Sequence, residues 1–320
     1  MHSYLVRRLL AAIPTIFGIT VLIFLAMRVL PGDPIAVISS ETSGNFVLSP
    51  EQVTAARASL GLDKPYPVQY LQWMSDVAQG NLGESFWTSD HISDLLLRRG
   101  PITAEIAVIA LLISWIVGIP AGIISAANRD TWLDFFARGW VTLFLAIPSF
   151  WIGLVIVLVG ILVFDWRPPL TISYLWTDPA KNLEMVVGPG VALGIGLAAA
   201  TARLARSTVL EVLNDDYVRT ARAKGLGERM VLWRHVMKNA MLPVVTLSGL
   251  AFSGLLSGTV ATETAFGVPG LGTLLVQGLT SRDWMLVQNM VLVYGLIVTI
   301  TNLLVDLSYG WLDPRIRYEG

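Results

Sequence analysis

Six long stretches without a charged side chain constrain this chain more than any other feature of its sequence. They cover residues 9–27, 106–127, 139–164, 185–201, 242–262 and 284–305. A helix needs roughly 20 apolar residues to cross the hydrocarbon core of a bilayer, and most of these stretches reach that length. The sequence therefore predicts about six transmembrane helices, of which the one at 185–201 is the shortest.

The composition supports the same fold class. Charged residues make up 14% of the chain, with a mean hydropathy of +0.64, whereas they make up about 25% of a typical soluble domain. Arg7 and Arg8 precede the first stretch as in a signal peptide, but this stretch exceeds a typical signal core and no A-x-A-like cleavage site follows it. We predict an all-α multi-pass membrane protein that retains its first helix.

The basic residues are unevenly divided between the connecting loops. With the N-terminus in the cytoplasm, the inner loops and both ends hold fourteen Lys and Arg residues, and the short outer loops hold three. Cytoplasmic loops carry an excess of these residues, while long loops translocate largely regardless of charge and are left out of the comparison. We therefore predict that both termini are cytoplasmic.

The long connection after the first stretch has the sequence of a folded segment. Ser49 and Pro50 suit the N-cap and first position of a helix that ends near Gly61, and a second helix follows the next prolines. A disordered loop is the alternative, but aromatic and apolar residues are too frequent for it. The predicted organisation is a first transmembrane helix at 1–30, an extracytoplasmic helical segment at 31–100 and a five-helix domain at 101–320.

Eight basic residues lie between the fourth and fifth stretches, in a loop that also has a helical pattern. One apolar series at helical spacing runs from Leu210 to Ala221, the sequence KGLG interrupts it, and a second series runs from Met230 to Met241. We interpret residues 207–241 as an amphipathic hairpin. A loop lying on anionic lipid headgroups explains the charge equally well, but it does not explain the glycine break or the apolar stripe.

Glycine and small polar residues define two candidate sites around the fifth stretch. The turn GVPGLG after Glu263 suits either an outer gate that changes shape or a fixed loop with positive φ values. Its candidate residues are Glu263, Gly267, Pro269, Gly270 and Gly272. Small residues in the fourth and fifth stretches favour either close helix packing or a solute path. The candidate path residues are Ser248, Ser253, Ser257 and Thr259.

The hairpin sequence DDYVRTARAKGLGERMVLWRHVMKNAMLPVV resembles the coupling segment of ABC importer permeases, in particular the first permease subunit of dipeptide, oligopeptide and nickel importers. The resemblance covers nearly the whole chain through LPGDP, LGLDKPYPVQYLQW, GNLGESF, IPSFWIGL, ETAFGVPGLGTLL and NLLVDLSYGWLDPRIRYEG. The chain departs from the general importer signature, because Arg219, Thr220 and Ala221 stand where that signature has Glu-Ala-Ala before its glycine.

The resemblance implies a set of partners: a second permease subunit, two cytoplasmic ATPase subunits and an extracytoplasmic solute-binding protein. No G-x-x-x-x-G-K-[ST] sequence occurs in the chain, so ATP and Mg²⁺ would be bound by the ATPase subunits and this chain would be no enzyme. The hairpin would dock in a groove of an ATPase subunit, with Ala221 and the Gly225–Gly227 turn allowing close approach. The implied coupling residues are Tyr217, Arg219, Thr220, Ala221, Arg222, Ala223, Lys224, Gly225, Leu226, Gly227 and Glu228.

Two other classes of protein fit the residues less well. An ion-coupled secondary transporter or channel needs ionisable groups near the bilayer midplane, whereas the candidates fall at the ends of the predicted spans. These are Arg28, Glu105, Glu263 and Asp306. A membrane-embedded enzyme or a metal site is disfavoured, because the three histidines are scattered along the chain and cysteine is absent.

The solute is the least constrained part of the interpretation. The resemblance favours peptides, with oligosaccharides or nickel as alternatives, because selectivity would lie mainly in the solute-binding protein. It also implies a location in the cytoplasmic membrane of a bacterium or archaeon.

The predicted orientation can be tested with cysteine labelling in this cysteine-free chain. Single Ser43→Cys and Lys224→Cys variants should react with a membrane-impermeant maleimide from opposite sides of the membrane. Labelling of both positions from the same side would contradict the orientation.

Overall fold

The computed structural model describes residues 2–29, 51, 54, 63–169 and 171–312. Helices α1 to α6 cover His2–Val29, Tyr66–Ala78, Ile92–Ile113, Ile119–Ala127, Trp132–Ala146 and Ser149–Phe164. Helices α7 to α12 cover Pro179–Leu213, Asp216–Ala223, Glu228–Met230, Met237–Phe266, Leu271–Thr280 and Trp284–Leu312. Two π-helical segments, Ser114–Gly118 and Val231–Val236, join α3 to α4 and α9 to α10. The predicted all-α architecture is confirmed for the described residues.

Four described segments are long and apolar enough to cross a membrane: Leu10–Val29, Ile92–Ala127, Pro179–Leu213 and Trp284–Val305. Helices α5 and α6 would form a fifth if they were one span, but they are bent by 96°. The predicted stretch at 242–262 lies inside α10, which is not among these segments. The total of six transmembrane helices therefore stays a prediction.

The stretch at 139–164, predicted as one transmembrane helix, lies in two helices, because the chain leaves the helix at Ile147 and Pro148. Ile147 has an extended conformation, with φ −90° and ψ 124°. A proline disfavours the helical conformation in the residue before it and lacks the N–H that a continuous helix would use. The apolar run therefore forms two helices that meet at this dipeptide.

Helix α7, the longest uninterrupted α-helix among the described residues, contains the stretch predicted at 185–201. It begins after Asp178, whose carboxylate accepts a hydrogen bond from the Lys181 backbone N–H at 3.2 Å. Such a side-chain acceptor satisfies one of the free donors at a helix start. Its Gly190 and Gly194 pack on α3, where an added Cβ would lie 2.5 Å and 2.8 Å from side-chain atoms of isoleucines. The spacing of these two glycines thus serves helix packing.

The chain divides into two compact units. The first comprises the described parts of Met1–Arg7, Pro101–Thr273 and Ile300–Gly320, and the second those of Arg8–Gly100 and Leu274–Thr299. In the first unit an apolar core forms around α7. It includes Ile106, Met185, Val186, Leu193 and Phe266.

The second unit is held together by polar contacts as well as by an apolar cluster. The Arg28 guanidinium donates to Gln69 Oε1 and Gln288 Oε1, each at 3.0 Å, and the Trp73 indole donates to Asn289 Oδ1 at 3.1 Å. Helix α2 confirms the second outer helix predicted after the prolines. The first outer helix, predicted from Ser49 to Gly61, lies outside the described residues.

A buried ion pair joins α5 to α7 in the first unit. The Asp134 carboxylate accepts two hydrogen bonds from Arg206, at 2.8 Å and 2.9 Å, and a third from the Ser125 hydroxyl at 2.5 Å. The Asp134 side chain is 1% exposed and that of Arg206 is 24% exposed. Because the Asp134 carboxylate is shielded from water and held by two donors of Arg206, the bidentate pair joins the start of α5 to α7.

Removing one partner of this ion pair should destabilise the protein strongly. Asp134→Ala leaves the Arg206 guanidinium without its acceptor, and loss of one partner of a buried pair costs about 3–5 kcal/mol. The Asp134→Ala/Arg206→Ala double variant should lose less than the sum of the two single variants. Denaturant titration of the purified protein measures these differences.

Arg129→Ala is the matched control, because Arg129 forms an exposed ion pair with Asp130 near the start of the same helix. Exposed pairs contribute little to stability. An equal loss in Arg129→Ala and Asp134→Ala would show that the buried pair has no special role.

Candidate functional site

The predicted cytoplasmic hairpin is a folded element in the structure. Helix α8 buries Val218 and Ala221 against Val209 at the end of α7 and against the π-helical segment, through Val231 and Val236. These side chains are at most 5% exposed. The hairpin is therefore fixed to the ends of α7 and α10 by a small apolar core of its own.

Glycine is required by the backbone at one position of the hairpin turn. Gly225 has φ +76°, a conformation that residues with a side chain rarely adopt. Its N–H donates to Arg222 O at 2.9 Å, and the Leu226 N–H donates to Ala221 O at 3.4 Å. These two bonds and the packing of Leu226 in the same apolar cluster form a Schellman motif, which ends α8 and satisfies its last carbonyl groups. Gly227 has φ −63°, which any residue can adopt.

Four of the implied coupling residues make contacts within the hairpin or to the helix that follows it. Ala221 is buried in the hairpin core, and its role in the close approach of a partner stays a prediction. The Arg222 guanidinium donates two hydrogen bonds to the Glu228 carboxylate, at 2.8 Å and 3.2 Å, across the turn. The Tyr217 hydroxyl accepts from the Asn239 amide at 2.8 Å, which joins α8 to α10.

The exposed face of the hairpin carries large apolar side chains among cations. Met230 is 51% exposed and Trp233 is 60% exposed, although both belong to the apolar series predicted from the sequence. Lys224 and Arg229 are exposed beside them. Of the implied coupling residues, Ala221 is buried, Leu226 is half-buried and the others are exposed: Tyr217, Arg219, Thr220, Arg222, Ala223, Lys224, Gly225, Gly227 and Glu228.

The second candidate site is built around the carboxylate of Glu263, which is fully buried. Its Oε1 accepts from the Thr103 hydroxyl at 2.6 Å, and its Oε2 accepts from the Gly272 and Thr273 N–H groups at 2.7 Å and 3.2 Å. The Thr103 hydroxyl in turn accepts from the Leu271 N–H at 2.8 Å. The first turn of α11 thus points three backbone donors at one carboxyl–hydroxyl pair, and an anion at this end of a helix is favourable.

The three glycines of the outer turn are required for different structural reasons. Gly267 has φ +66° and ends α10, where the Val268 N–H donates to Glu263 O at 2.9 Å. A Cβ at Gly270 would collide with the Glu263 carboxylate, and one at Gly272 would lie 2.5 Å from the Val260 backbone. Of these three glycines, only Gly267 has a positive φ value. Gly270 and Gly272 lack room for a side chain because the start of α11 lies close to Glu263 and the α10 backbone. Pro269 lies half-buried between Gly267 and Gly270.

The candidate path residues are only partly described. Ser248 is buried, donates to Val244 O at 2.7 Å and accepts from the Trp115 indole at 3.0 Å. Thr259 is also buried. The side chains of Ser253 and Ser257 lie outside the described part, so the lining of a path by these residues stays a prediction.

Sequence reasoning missed Thr103, because nothing in the surrounding sequence marks a threonine that contacts a residue so far along the chain. Glu105, predicted at the end of a span, accepts a hydrogen bond from the Asn182 amide at 2.7 Å in a helix that begins earlier, at Ile92. Its position relative to the membrane stays a prediction. Within the described residues no group of three His, Asp or Glu side chains could hold a metal ion.

Comparisons with known proteins agree on one family. Residues 118–318 match the family described as binding-protein-dependent transport system inner membrane component, and residues 1–107 match the N-terminal membrane component of such systems. The chain is 38% identical to the di/tripeptide transport system permease protein DppB of Pseudomonas aeruginosa and 37% identical to the dipeptide transport system permease protein DppB of Escherichia coli. Each of these matches covers 100% of both proteins.

Two solved structures share the fold. An amino acid ABC transporter chain aligns with a TM-score of 0.54 and 15% identity over 73% of this chain and 96% of that chain. A chain of the MetNI methionine ABC transporter in an inward-facing conformation aligns with a TM-score of 0.57 and 16% identity over 68% and 96%. The predicted class of multi-pass membrane protein and the resemblance to importer permeases are both confirmed. The chain belongs to the family of inner-membrane permease components of binding-protein-dependent transport systems.

Proposed function

We propose that this chain is the membrane-spanning subunit of an ATP-driven peptide importer of the cytoplasmic membrane. It pairs with a second permease subunit, receives peptides from an extracytoplasmic binding protein and is driven by two ATPase subunits that bind ATP and Mg²⁺. The observation that carries this proposal is the identity with dipeptide permeases over the full length of both chains. Transport by a permease, without catalysis by the chain itself, is the activity of the family.

Reconstitution tests the choice of peptides as the solute. The complex, placed in liposomes with its binding protein and internal ATP, should take up a labelled dipeptide or tripeptide. Uptake of an oligosaccharide or of Ni²⁺ in place of peptides would support one of the two alternatives.

The shape of the hairpin supports a role in coupling to the ATPase subunits. Its core residues fix α8 to the ends of two long helices, while Met230 and Trp233 remain exposed on the outside. Large exposed apolar side chains among polar ones are typical of a surface that another protein covers. A force applied to the hairpin would therefore reach α7 and α10 directly.

Gly225→Val should impair this coupling more than the same change at Gly227. A valine at the positive φ of Gly225 costs about 1–3 kcal/mol, although no neighbouring atom would obstruct its Cβ. Gly227 has an ordinary φ and equally open surroundings, so Gly227→Val is a matched control. Peptide uptake and ATPase stimulation by the binding protein are the measurements. Full uptake by the Gly225→Val variant would refute the coupling role of the turn.

Variants that remove a charge should distinguish an effect on docking to the ATPase subunits from an effect on the geometry of the turn. Lys224→Ala removes an exposed cation and should weaken association with the ATPase subunits in a salt-dependent way, because exposed charges are screened beyond about 10 Å at 0.1 M salt. Arg222→Ala should instead disturb the turn, since it removes the partner of Glu228. An Arg222→Glu/Glu228→Arg double variant should recover part of that loss.

We also propose that the Glu263 site closes the outer end of the permease. The carboxylate holds the start of α11 against α10, and Thr103 adds a contact from α3. Three elements thus depend on one side chain. Opening of the outer end would require these bonds to be exchanged together.

Glu263→Gln should weaken this closure while preserving the shape of the side chain. A glutamine has only one acceptor oxygen, so either the two backbone N–H groups or the Thr103 hydroxyl loses its acceptor. Each buried donor left unpaired costs about 1–3 kcal/mol. Gly270→Ala should have a similar effect, because its Cβ collides with the carboxylate. Gly254→Ala in the same α10 meets no atom within 4 Å and is the control. Wild-type uptake and wild-type stability in the Glu263→Gln variant would rule out the proposed closure.

A further inference from the structure

A cavity of about 390 Å³ opens between α4, α5 and α7, above the buried Asp134–Arg206 pair. Its volume lies in the range of about 300–1,000 Å³ that is usual for sites of small ligands. Its wall is divided between small apolar residues, such as Gly122 and Ala202, and three arginines. The arginines are Arg138, Arg203 and Arg206.

The cavity carries an excess of positive charge. Arg206 is neutralised by its bidentate pair with Asp134. Arg138 and Arg203 have exposed side chains, and no ion pair to either is found within the described part of the chain. The Ser207 hydroxyl lies on the same wall. Two uncompensated guanidinium groups and a hydroxyl are the donors that bind a phosphate group.

The residues around the cavity place it at the surface of the bilayer. The first turns of α5 expose Trp132, Phe135 and Phe136, each more than 65%. Aromatic side chains at the start of an apolar helix are typical of the level of the lipid headgroups. Arg138 follows these aromatic residues on the same helix, so the cavity opens at the same level. Leu210 lies both on the cavity wall and against the apolar core of the hairpin, which places the cavity at the hairpin end of the subunit.

We propose that this cavity binds the phosphate of an anionic phospholipid from the cytoplasmic leaflet, with Arg138 and Arg203 as its ligands. Anionic lipids give that leaflet a negative surface potential, and basic pockets between transmembrane helices bind their headgroups. The apolar part of the cavity wall contacts the portion of the lipid below the headgroup. A free phosphate ion would leave this apolar surface uncovered. The fixed Arg206 keeps the floor of the cavity in place without competing for the ligand.

The proposal has consequences for the hairpin but does not depend on the transported solute. The helix that carries Arg203 and Arg206 continues to Leu213 and leads into α8. A lipid bound to Arg203 therefore contacts the same helix end on which the hairpin rests. Whether or not the complex takes up peptides, lipid binding at this cavity has to be measured by a separate experiment.

Native mass spectrometry of the complex of this chain with its partner subunits tests the proposal. After delipidation in detergent, wild-type complex exposed to equal amounts of phosphatidylglycerol and phosphatidylcholine should retain phosphatidylglycerol selectively. Arg138→Gln and Arg203→Gln should each lower the retained fraction about fivefold, the effect of one basic residue at an anionic membrane surface. Arg203→Lys keeps the charge and should recover most of the binding.

Arg129→Gln is the matched control, because Arg129 lies at the same end of the subunit but is not part of the cavity wall. An equal loss in this variant would refute the site in favour of a general effect of charge. Displacement of the lipid by millimolar inorganic phosphate would assign the cavity to a free anion and overturn the proposal. Absence of phosphatidylglycerol from the complete complex, with retention by this chain alone, would show that a partner protein covers the cavity and would equally overturn it.

Discussion

The ends of the helices are the most demanding part of this structure. Within a helix every backbone N–H and C=O is paired, but the first N–H groups and the last C=O groups have no partner in the helix. In a protein surrounded by lipid, such groups are costly unless the chain itself satisfies them. The described helices meet this requirement with a buried carboxylate at the start of α11 and with glycine turns at the ends of α8 and α10.

The same solutions differ in how far apart in sequence the joined residues are. The Gly225 turn ends α8 with two hydrogen bonds that are made entirely within the hairpin. The turn therefore needs no contact outside the hairpin to satisfy these backbone groups. The Glu263 carboxylate instead joins residues that are far apart in sequence, since Thr103 and the start of α11 depend on it. Loss of this carboxylate would therefore leave donors from both elements without their acceptor.

The sequence predicted the elements whose signal is local. Apolar runs located the long helices, KGLG located the hairpin turn, and the prolines located the start of α2. Local signals could not show that Ala221 faces inward, because Leu210, Tyr217 and Ala221 share a helical period although Tyr217 is 40% exposed. The break at Ile147–Pro148 was visible in the sequence, but the length of the apolar run concealed it. Thr103 has no local signal at all, because its role comes from a contact with Glu263, 160 positions away.

The buried pair of Asp134 and Arg206 shows how charge can be used in an apolar subunit. A lone arginine at this position would be unfavourable, since a charge taken out of water needs a partner. Asp134 supplies that partner and accepts further hydrogen bonds from Ser125 and from the Asp130 backbone N–H. Both of its carboxylate oxygens therefore accept hydrogen bonds. The neighbouring Arg138 and Arg203 remain exposed above a neutral floor. The positive charge of the cavity thus lies at its surface, where an anion can approach it without first breaking the pair that holds α5 to α7.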